Sequence, residues 1–346
     1  MAKKYRVGIL GATGTVGQRF CQLLEAHPQF EITAMAASDR SAGKVYSEAC
    51  AWKLPGKIPA NVRDIVVTPI EPPLDCDIVF SSLPGSVARE TEEAFARAGY
   101  AVISNSSVYR MDEDVPLLIP EINADHVGLI EKQRENRGFA KGFIVTNPNC
   151  AVVSFAPPLA ALHRKFGVES AIITTMQAVS GAGYPGVASL DILDNVIPYI
   201  AGEEPKVEIE AQKIIGDLVD GAIVKADFAV SAQCFRVNVI DGHMASVRVN
   251  LKQTATLEGV VDAMKTFPSL NLHSSPEHFI EVTDEPSRPQ TRLDRDNGDG
   301  MTITVGRVFP DNIFDYRFVA LSHNTVRGAA GSAILNAELL IDKRII

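Results

Sequence analysis

The first 105 residues repeatedly set a short, near-continuous apolar run against a helical period, and this alternation restricts the fold more than any other feature. Lys4–Leu10 (KYRVGIL), Phe30–Ala37 (FEITAMAA), Asp77–Leu83 (DIVFSSL) and Ala101–Asn105 (AVISN) read as buried strands. Gln18–Ala26 and Ser86–Ala98 have the period of helices between them. Strands without an exposed polar face, separated by helices, predict a parallel sheet covered on both sides, a doubly wound α/β unit. After about residue 150 the texture changes. Cys150–Lys165 and Glu208–Ile215 look helical, Ala171–Val179 is strand-like, and alternating stretches follow at Phe235–Ile240, Ala245–Leu251 and Met301–Val308. These predict an α+β domain with a mostly antiparallel sheet. A helical stretch at Asn324–Leu340 is expected to pack back on the first domain. The expected division is therefore 1–149 together with 324–346, and 150–323.

Composition removes several function classes. Lys and Arg total 33 against 42 Asp and Glu, a net charge of −9, which argues against general nucleic-acid binding. There is no uninterrupted apolar run of about 18 residues to predict a membrane span. Val7–Leu10 is too short for a signal-peptide core. Five cysteines, at 21, 50, 76, 150 and 234, form an odd set without a Cys-x-x-Cys pair. That pattern argues against a disulfide framework or a metal knuckle and for a reducing, cytoplasmic compartment. Any anionic substrate must be held by a local cationic cluster working against the global charge.

The first strand runs into Gly11-Ala-Thr-Gly14-Thr-Val-Gly17, which opens a helix. In that context a glycine turn lets the backbone approach a pyrophosphate at the helix N-terminus, as in a Rossmann-like nucleotide domain. At the end of the second strand Ser38, Arg40, Ser41 and Lys44 offer hydroxyls and cations suited to a 2′-phosphate, so NADP is favoured; Asp39 leaves NAD open. Thr146-Asn-Pro-Asn149-Cys150 is the most chemically informative stretch. Asn149 is a candidate helix N-cap, which places Cys150 in the first turn, where a lowered thiol pKa and nucleophilic character are expected. Cys21, Cys76 and Cys234 read as buried small hydrophobes. Among seven histidines, His243 lies in a turn after a strand, seven residues beyond Arg236; by itself it is either a base or a structural histidine. Arg110 follows a sheet strand. Glu210 and Lys213 stand one helical turn apart, in a cleft or as a surface pair.

Taken in order along the chain, GATGTVGQRF, SNSSVYRMDEDVPLLIPEIN, TNPNC, MQAVSGAGYPGV, EAQKIIG, RVNVIDGH, RPQTRLDR and HNTVRGAAG resemble the aspartate-β-semialdehyde dehydrogenase family, its archaeal and fungal branch in particular. The resemblance implies Cys150 as nucleophile, Gln177 orienting the acyl group, His243 as acid/base and Asn149 supporting the nucleophile. It further implies Arg236 on the substrate α-carboxylate, Glu210 on its amino group, and Arg110 with Lys213 on phosphate. The cofactor implied is NADP(H), met by Gly11, Thr13, Gly14, Thr15, Val16, Ser38, Arg40, Ser41 and Ser82, with Asn324 at the nicotinamide amide. No metal is implied. The implied reaction joins aspartate semialdehyde and phosphate to aspartyl phosphate, running biosynthetically in reverse toward lysine, diaminopimelate, threonine, methionine and isoleucine. It passes through a cysteine thioester, with His243 taking the thiol proton, in a homodimer or homotetramer. The rival is a CoA-acylating relative such as malonyl-CoA reductase, which has no need of Glu210. A non-catalytic nucleotide sensor on the same scaffold is the other.

Overall fold

The computed structural model describes residues 4–346. Among these residues, β1 (Tyr5–Leu10), β2 (Phe30–Ala36), β3 (Ile78–Ser81), β4 (Ala101–Ser104) and β5 (Phe143–Thr146) form a sheet in the order β2-β1-β3-β4-β5. Every pairing in it is parallel, with Val7 opposite Ile78 and Ile9 opposite Phe80. β3, β4 and β5 are buried along their whole length, which is why β3 and β4 read as near-continuous apolar runs; β5, equally buried, lies outside the stretches expected to be strands. The chain leaves β1 on one side to make β2 and returns on the other to make β3. The crevice beyond the carboxyl ends of β1 and β3 is the switch point at which such sheets hold ligands.

The second sheet holds β6 (Val168–Gln177), β9 (Ala229–Arg236), β10 (His243–Leu251), β11 (Ile280–Val282), β12 (Ile303–Pro310) and β13 (Tyr316–Ser322), in the order β11-β12-β13-β10-β6-β9. β7 (Asp217–Val219) and β8 (Ala222–Val224) make a separate hairpin. The centre of the large sheet is antiparallel, but both edge pairings, β11 with β12 and β6 with β9, are parallel. The sheet is therefore mixed. The β6-to-β9 connection carries the helix Glu204–Ile215, and a crossover of that length permits parallel pairing. The strand expected at Phe235–Ile240 lies mostly earlier, at Ala229–Arg236. The apolar residues after Arg236 belong to a turn, in which Val239 N–H donates to the Val237 carbonyl.

The helix Val152–Phe166, buried from Val152 to Leu162, lies over one face of this sheet in the same core as Ile173, Val247 and Phe318. The opposite face is left open along the row Ile172, Thr174, Met176 and Met244, Ser246, Arg248. The C-terminal stretch is not one regular helix. A turn leads into π-helical residues Val326–Ala330 and then an α-helix, Gly331–Asp342. Ala333, Ile334, Ala337 and Leu340 of that helix enter the core of the first sheet beside Val7, Ile9 and Phe80. Among the described residues no helix is long and apolar enough to cross a membrane.

Candidate active site

A cleft of about 350 Å³ opens where the crevice of the first sheet meets the edge of the second, lined by Cys150, Gln177, Arg110, Arg236, Glu203 and Lys206. Cys150 sits in the turn between β5 and the helix Val152–Phe166. The Asn149 side-chain oxygen accepts from Ala151 N–H (2.7 Å) and Val152 N–H (3.3 Å) and caps that turn. Asn147 secures it from behind, donating to Asn105 Oδ1 (2.8 Å) and the Ala329 carbonyl (2.9 Å).

Cys150 Sγ lies 3.2 Å from His243 Nε2. The other ring nitrogen, Nδ1, accepts the backbone N–H of Ala178 at 3.1 Å. The neutral ring then carries its proton on Nε2 and donates toward sulfur. The resemblance implies that His243 takes the thiol proton; in this tautomer the nitrogen facing the sulfur already holds a proton and is a donor. The expectation of a lowered thiol pKa is corrected. Burial, reinforced by the Glu203 carboxylate and opposed by Arg110 and Arg236, pushes the Cys150 thiol up to about 12. Burial and the Arg236 charge take His243 down to about 3. The cost of desolvating either charge outweighs the half-charge of a helix terminus, so the resting pair is a neutral thiol beside a neutral imidazole.

Arg236, at the end of β9, is buried with Nη1 on the Ala178 carbonyl at 2.7 Å. Burial lowers its pKa. Gln177 is opposite Arg236 in register and donates to Thr175 Oγ1 at 3.3 Å. The loop after β6 comes close enough that a Cβ on Gly181 would lie 3.0 Å from both Arg236 Nη1 and His243 Nε2. From the other side a Cβ on Gly328 would meet Cys150 Cβ at 2.8 Å. Gly328 belongs to the π-helical stretch, whose Arg327 is fully buried and grips Glu121 with two bonds of 2.9 and 2.7 Å. That irregular turn delivers a bare backbone to the cysteine.

Two residues expected to touch substrate do not line the cleft. Lys213 Nζ spends all three hydrogens on the carbonyls of Arg110 (2.8 Å), Asp112 (2.7 Å) and Val115 (2.8 Å). Glu210 accepts from Arg110 Nη1 (3.0 Å) with one oxygen and from Asn149 N–H (2.6 Å) with the other. Their places in the cleft are taken by Glu203 and Lys206, which the sequence reading passed over. Glu203 is buried, accepts from Asn149 Nδ2 at 2.7 Å and pairs with Lys206 Nζ at 3.3 Å. The signal existed: Glu203-x-x-Lys206 repeats the spacing of Glu210-x-x-Lys213 seven residues earlier. Seven residues are two helical turns, so both pairs share a face, and the earlier pair stands roughly 10 Å nearer the helix N-terminus, where the cleft lies.

The crevice fits a dinucleotide. The helix Thr15–Leu24 begins at Gly14 without a side-chain cap, leaving its first N–H groups free for phosphate. Gly11 has φ +81°, and a Cβ there would lie 3.0 Å from Ser82 O and Oγ; on Gly17 it would lie 2.4 Å from Gly11 O. Thr13 lies within this turn, and Thr15 and Val16 line the cleft. Ser82 Oγ turns away to donate to the Leu10 carbonyl (3.0 Å), so it braces the glycine turn. Ser38, Arg40 and Ser41 lie in a turn closed by Ser41 N–H to Ser38 O at 2.8 Å, with Ser38, Asp39 and Arg40 exposed. Asn324 lines the cleft, its amide engaged by Gly242 N–H and Ser180 Oγ, both at 2.8 Å.

A parallel nucleotide-type sheet, a mixed second sheet and a cysteine–histidine pair at their junction define the class, a dinucleotide-dependent oxidoreductase. Residues 6–130 match the family described as semialdehyde dehydrogenase, NAD binding domain, and residues 159–327 match its dimerisation domain. The chain belongs to the aspartate-semialdehyde dehydrogenase family. Among proteins of that name, it is 52% identical to one from Archaeoglobus fulgidus over 99% of this chain and 100% of the other. It is 48% identical to one from Trichophyton rubrum, over 99% of each. A solved structure of the Candida albicans enzyme with NADP superposes with a TM-score of 0.91 at 42% identity, covering 99% of this chain and 100% of the other.

Proposed function

We propose that this protein reduces 4-phospho-L-aspartate to L-aspartate 4-semialdehyde with NADPH, releasing phosphate, through a thioester on Cys150. One observation carries the substrate: a single cleft sets two arginines and a buried carboxylate around the sulfur, complementing an α-carboxylate, a phosphate and an α-ammonium. Similarity to the enzymes named above supports the same reading. Arg236, on the His243 side, takes the α-carboxylate and Glu203 the ammonium. Arg110 takes the phosphate, with Lys206 as the second cation in place of Lys213.

The Cys150 thiol gives its proton to the phosphoryl oxygens held by Arg110 and Lys206 as its sulfur attacks the acyl carbon. The C–O bond to phosphate breaks and hydrogen phosphate leaves with that proton, which solvent restores to the sulfur at the end of the cycle. NADPH, when bound, supplies a hydride. The resulting tetrahedral carbon on Cys150 collapses to the aldehyde and returns the electron pair to sulfur, where His243 Nε2–H donates to the negative charge. Gln177 orients the acyl oxygen, and Asn149 holds both the cysteine turn and Glu203. A covalent thioester conserves the acyl activation that water would destroy, so excluding water from the cleft around Cys150 during turnover is part of the chemistry.

The proposed nucleotide domain is 1–149 with 324–346, and the proposed catalytic and dimerisation domain is 150–323. The open row of the second sheet is the proposed dimer face, in a homodimer or in a tetramer built from it. Unpaired cysteines support a cytoplasmic location. The place in metabolism is the branch toward lysine, threonine, methionine and isoleucine.

The deciding assay runs in reverse: aspartate semialdehyde should reduce NADP⁺ only when phosphate is present. Turnover only with CoA would assign the protein to the acyl-CoA reductases. Glu203→Gln should lower kcat/KM for aspartate semialdehyde by about 10- to 100-fold, as expected for a lost charged hydrogen bond of about 1.5–3 kcal/mol. It should leave 4-oxobutanoate, the same aldehyde without the amino group, nearly unchanged; equal losses on both would remove Glu203 from ammonium binding.

A further inference from the structure

Behind the cleft lies a second charged layer that the chemistry above does not use. Glu210 is only 1% exposed and joins three segments. It projects from the helix Glu204–Ile215 and accepts from Arg110 Nη1 (3.0 Å), on the loop after β4. Its other oxygen accepts from the backbone N–H of Asn149 (2.6 Å), the residue before the nucleophile. Arg110 Nη2 donates to the Asn105 carbonyl at 2.9 Å, while its buried Nε–H has no partner among the described residues. Two sides of the guanidinium are thus fixed, and an unsatisfied donor remains. Lys213, one turn farther along the same helix, fixes only the backbone of the Arg110 loop through three carbonyls. The orientation of the guanidinium itself depends on Glu210.

We propose that Glu210 is a positioning residue that aims Arg110 at the leaving phosphate and ties it to the turn carrying Cys150. This rests on the phosphate role assigned to Arg110 above. Glu210 touches neither substrate nor cofactor, since both its oxygens are occupied within the protein. Its geometry explains why a buried carboxylate is kept so near an anion site. A bidentate-capable guanidinium is effective only when its planar fork is held in register with the oxyanion, and the carboxylate supplies that restraint.

Glu210→Gln separates this role from a general structural one. An amide side chain offers one acceptor and one donor group, so one of the two bonds is lost whichever way it turns. In the phosphate-dependent assay the KM for phosphate should rise about tenfold or more, the size of one weakened charged hydrogen bond. The KM values for aspartate semialdehyde and NADP⁺ should stay within about twofold. Independently of turnover, the phosphate concentration that half-protects Cys150 from iodoacetamide should rise by the same factor. Glu210→Asp, which keeps the charge but shortens the reach, should show the same split if the amide variant does not fold. In an Arg110→Gln background, adding Glu210→Gln should change the phosphate KM by less than about twofold, because the two act as one unit. An unchanged phosphate KM, or three KM values rising together, would overturn the proposal. A wild-type enzyme indifferent to phosphate in both measurements would overturn the phosphate assignment and this proposal with it; a responsive wild type and an equally responsive Glu210→Gln overturn this proposal alone.

Discussion

Cys150→Ser is expected to lower kcat by at least about 10⁴-fold, upwards of about 5 kcal/mol of transition-state stabilisation, while leaving NADPH binding intact. The substitution keeps the size and the place beside His243 Nε2, so the cleft should survive. What it removes is an acidic, polarisable nucleophile. Burial and the Glu203 carboxylate already push the thiol up to about 12, and a hydroxyl in the same surroundings would be far harder to ionise. It would also be a poorer leaving group when the tetrahedral carbon collapses. The other cysteines cannot substitute, since Cys21, Cys50, Cys76 and Cys234 are all buried and only Cys150 is partly open. Nucleotide binding is read by titrating NADPH fluorescence. Incubating wild type with the acyl phosphate in the absence of NADPH and weighing the protein should reveal an acyl adduct on Cys150 that the variant lacks. Turnover above about one per cent of wild type in the serine variant, or no adduct on the native chain, would dismantle the thioester route.

The sequence was most informative where a single period governed burial. The first sheet was legible in four of its five strands because both its faces are covered, so that the inner strands β3 (IVFS) and β4 (AVIS) are buried at every position and nearly all apolar. The glycine turn was legible because strand, glycines and helix follow one another in the chain. The second sheet was less so. β9 (AVSAQCFR) runs along an edge and half exposes most of its residues, so its pattern is faint and the apolar Val237–Ile240 turn beyond it drew the expectation forward. The cleft was partly illegible for another reason. Glu203 and Glu210 share a spacing to lysine and a helix face; only the packing of the Arg110 loop over the deeper pair decides which of them reaches open space. The thiol and imidazole shifts were hidden as well, because a helix terminus can be read from Asn149 and Pro148 whereas desolvation depends on every residue that closes over the site. Gly328 shows the same limit: a bare backbone against Cys150 Cβ is a contact between residues 178 positions apart, carried by a π-helical turn that no simple period announces.

Arg236 offers the second large effect, because it combines a geometric role with an electrostatic one. Its backbone is fixed on both sides, Arg236 N–H donating to Ile197 O (2.8 Å) and Ile197 N–H to Arg236 O (3.0 Å), and Nη1 is anchored on the Ala178 carbonyl at 2.7 Å. The remaining fork faces the cleft with its orientation already set, suited to a planar carboxylate. Ala178 thereby links two catalytic groups, its carbonyl aligning Arg236 and its N–H holding His243 Nδ1. Arg236→Lys keeps a cation but loses the fork, and an ammonium in this burial is driven toward its neutral form more readily than a guanidinium. The expected loss in kcat/KM for aspartate semialdehyde is about 2–4 kcal/mol, roughly 30- to 1,000-fold. With 3-aminopropanal, which lacks the α-carboxylate, the two forms should differ only by the indirect effect of a displaced Ala178, about tenfold at most. Comparable losses on both aldehydes would make Arg236 a support for His243 instead of the carboxylate clamp, and unchanged kinetics on both would take it out of the active site.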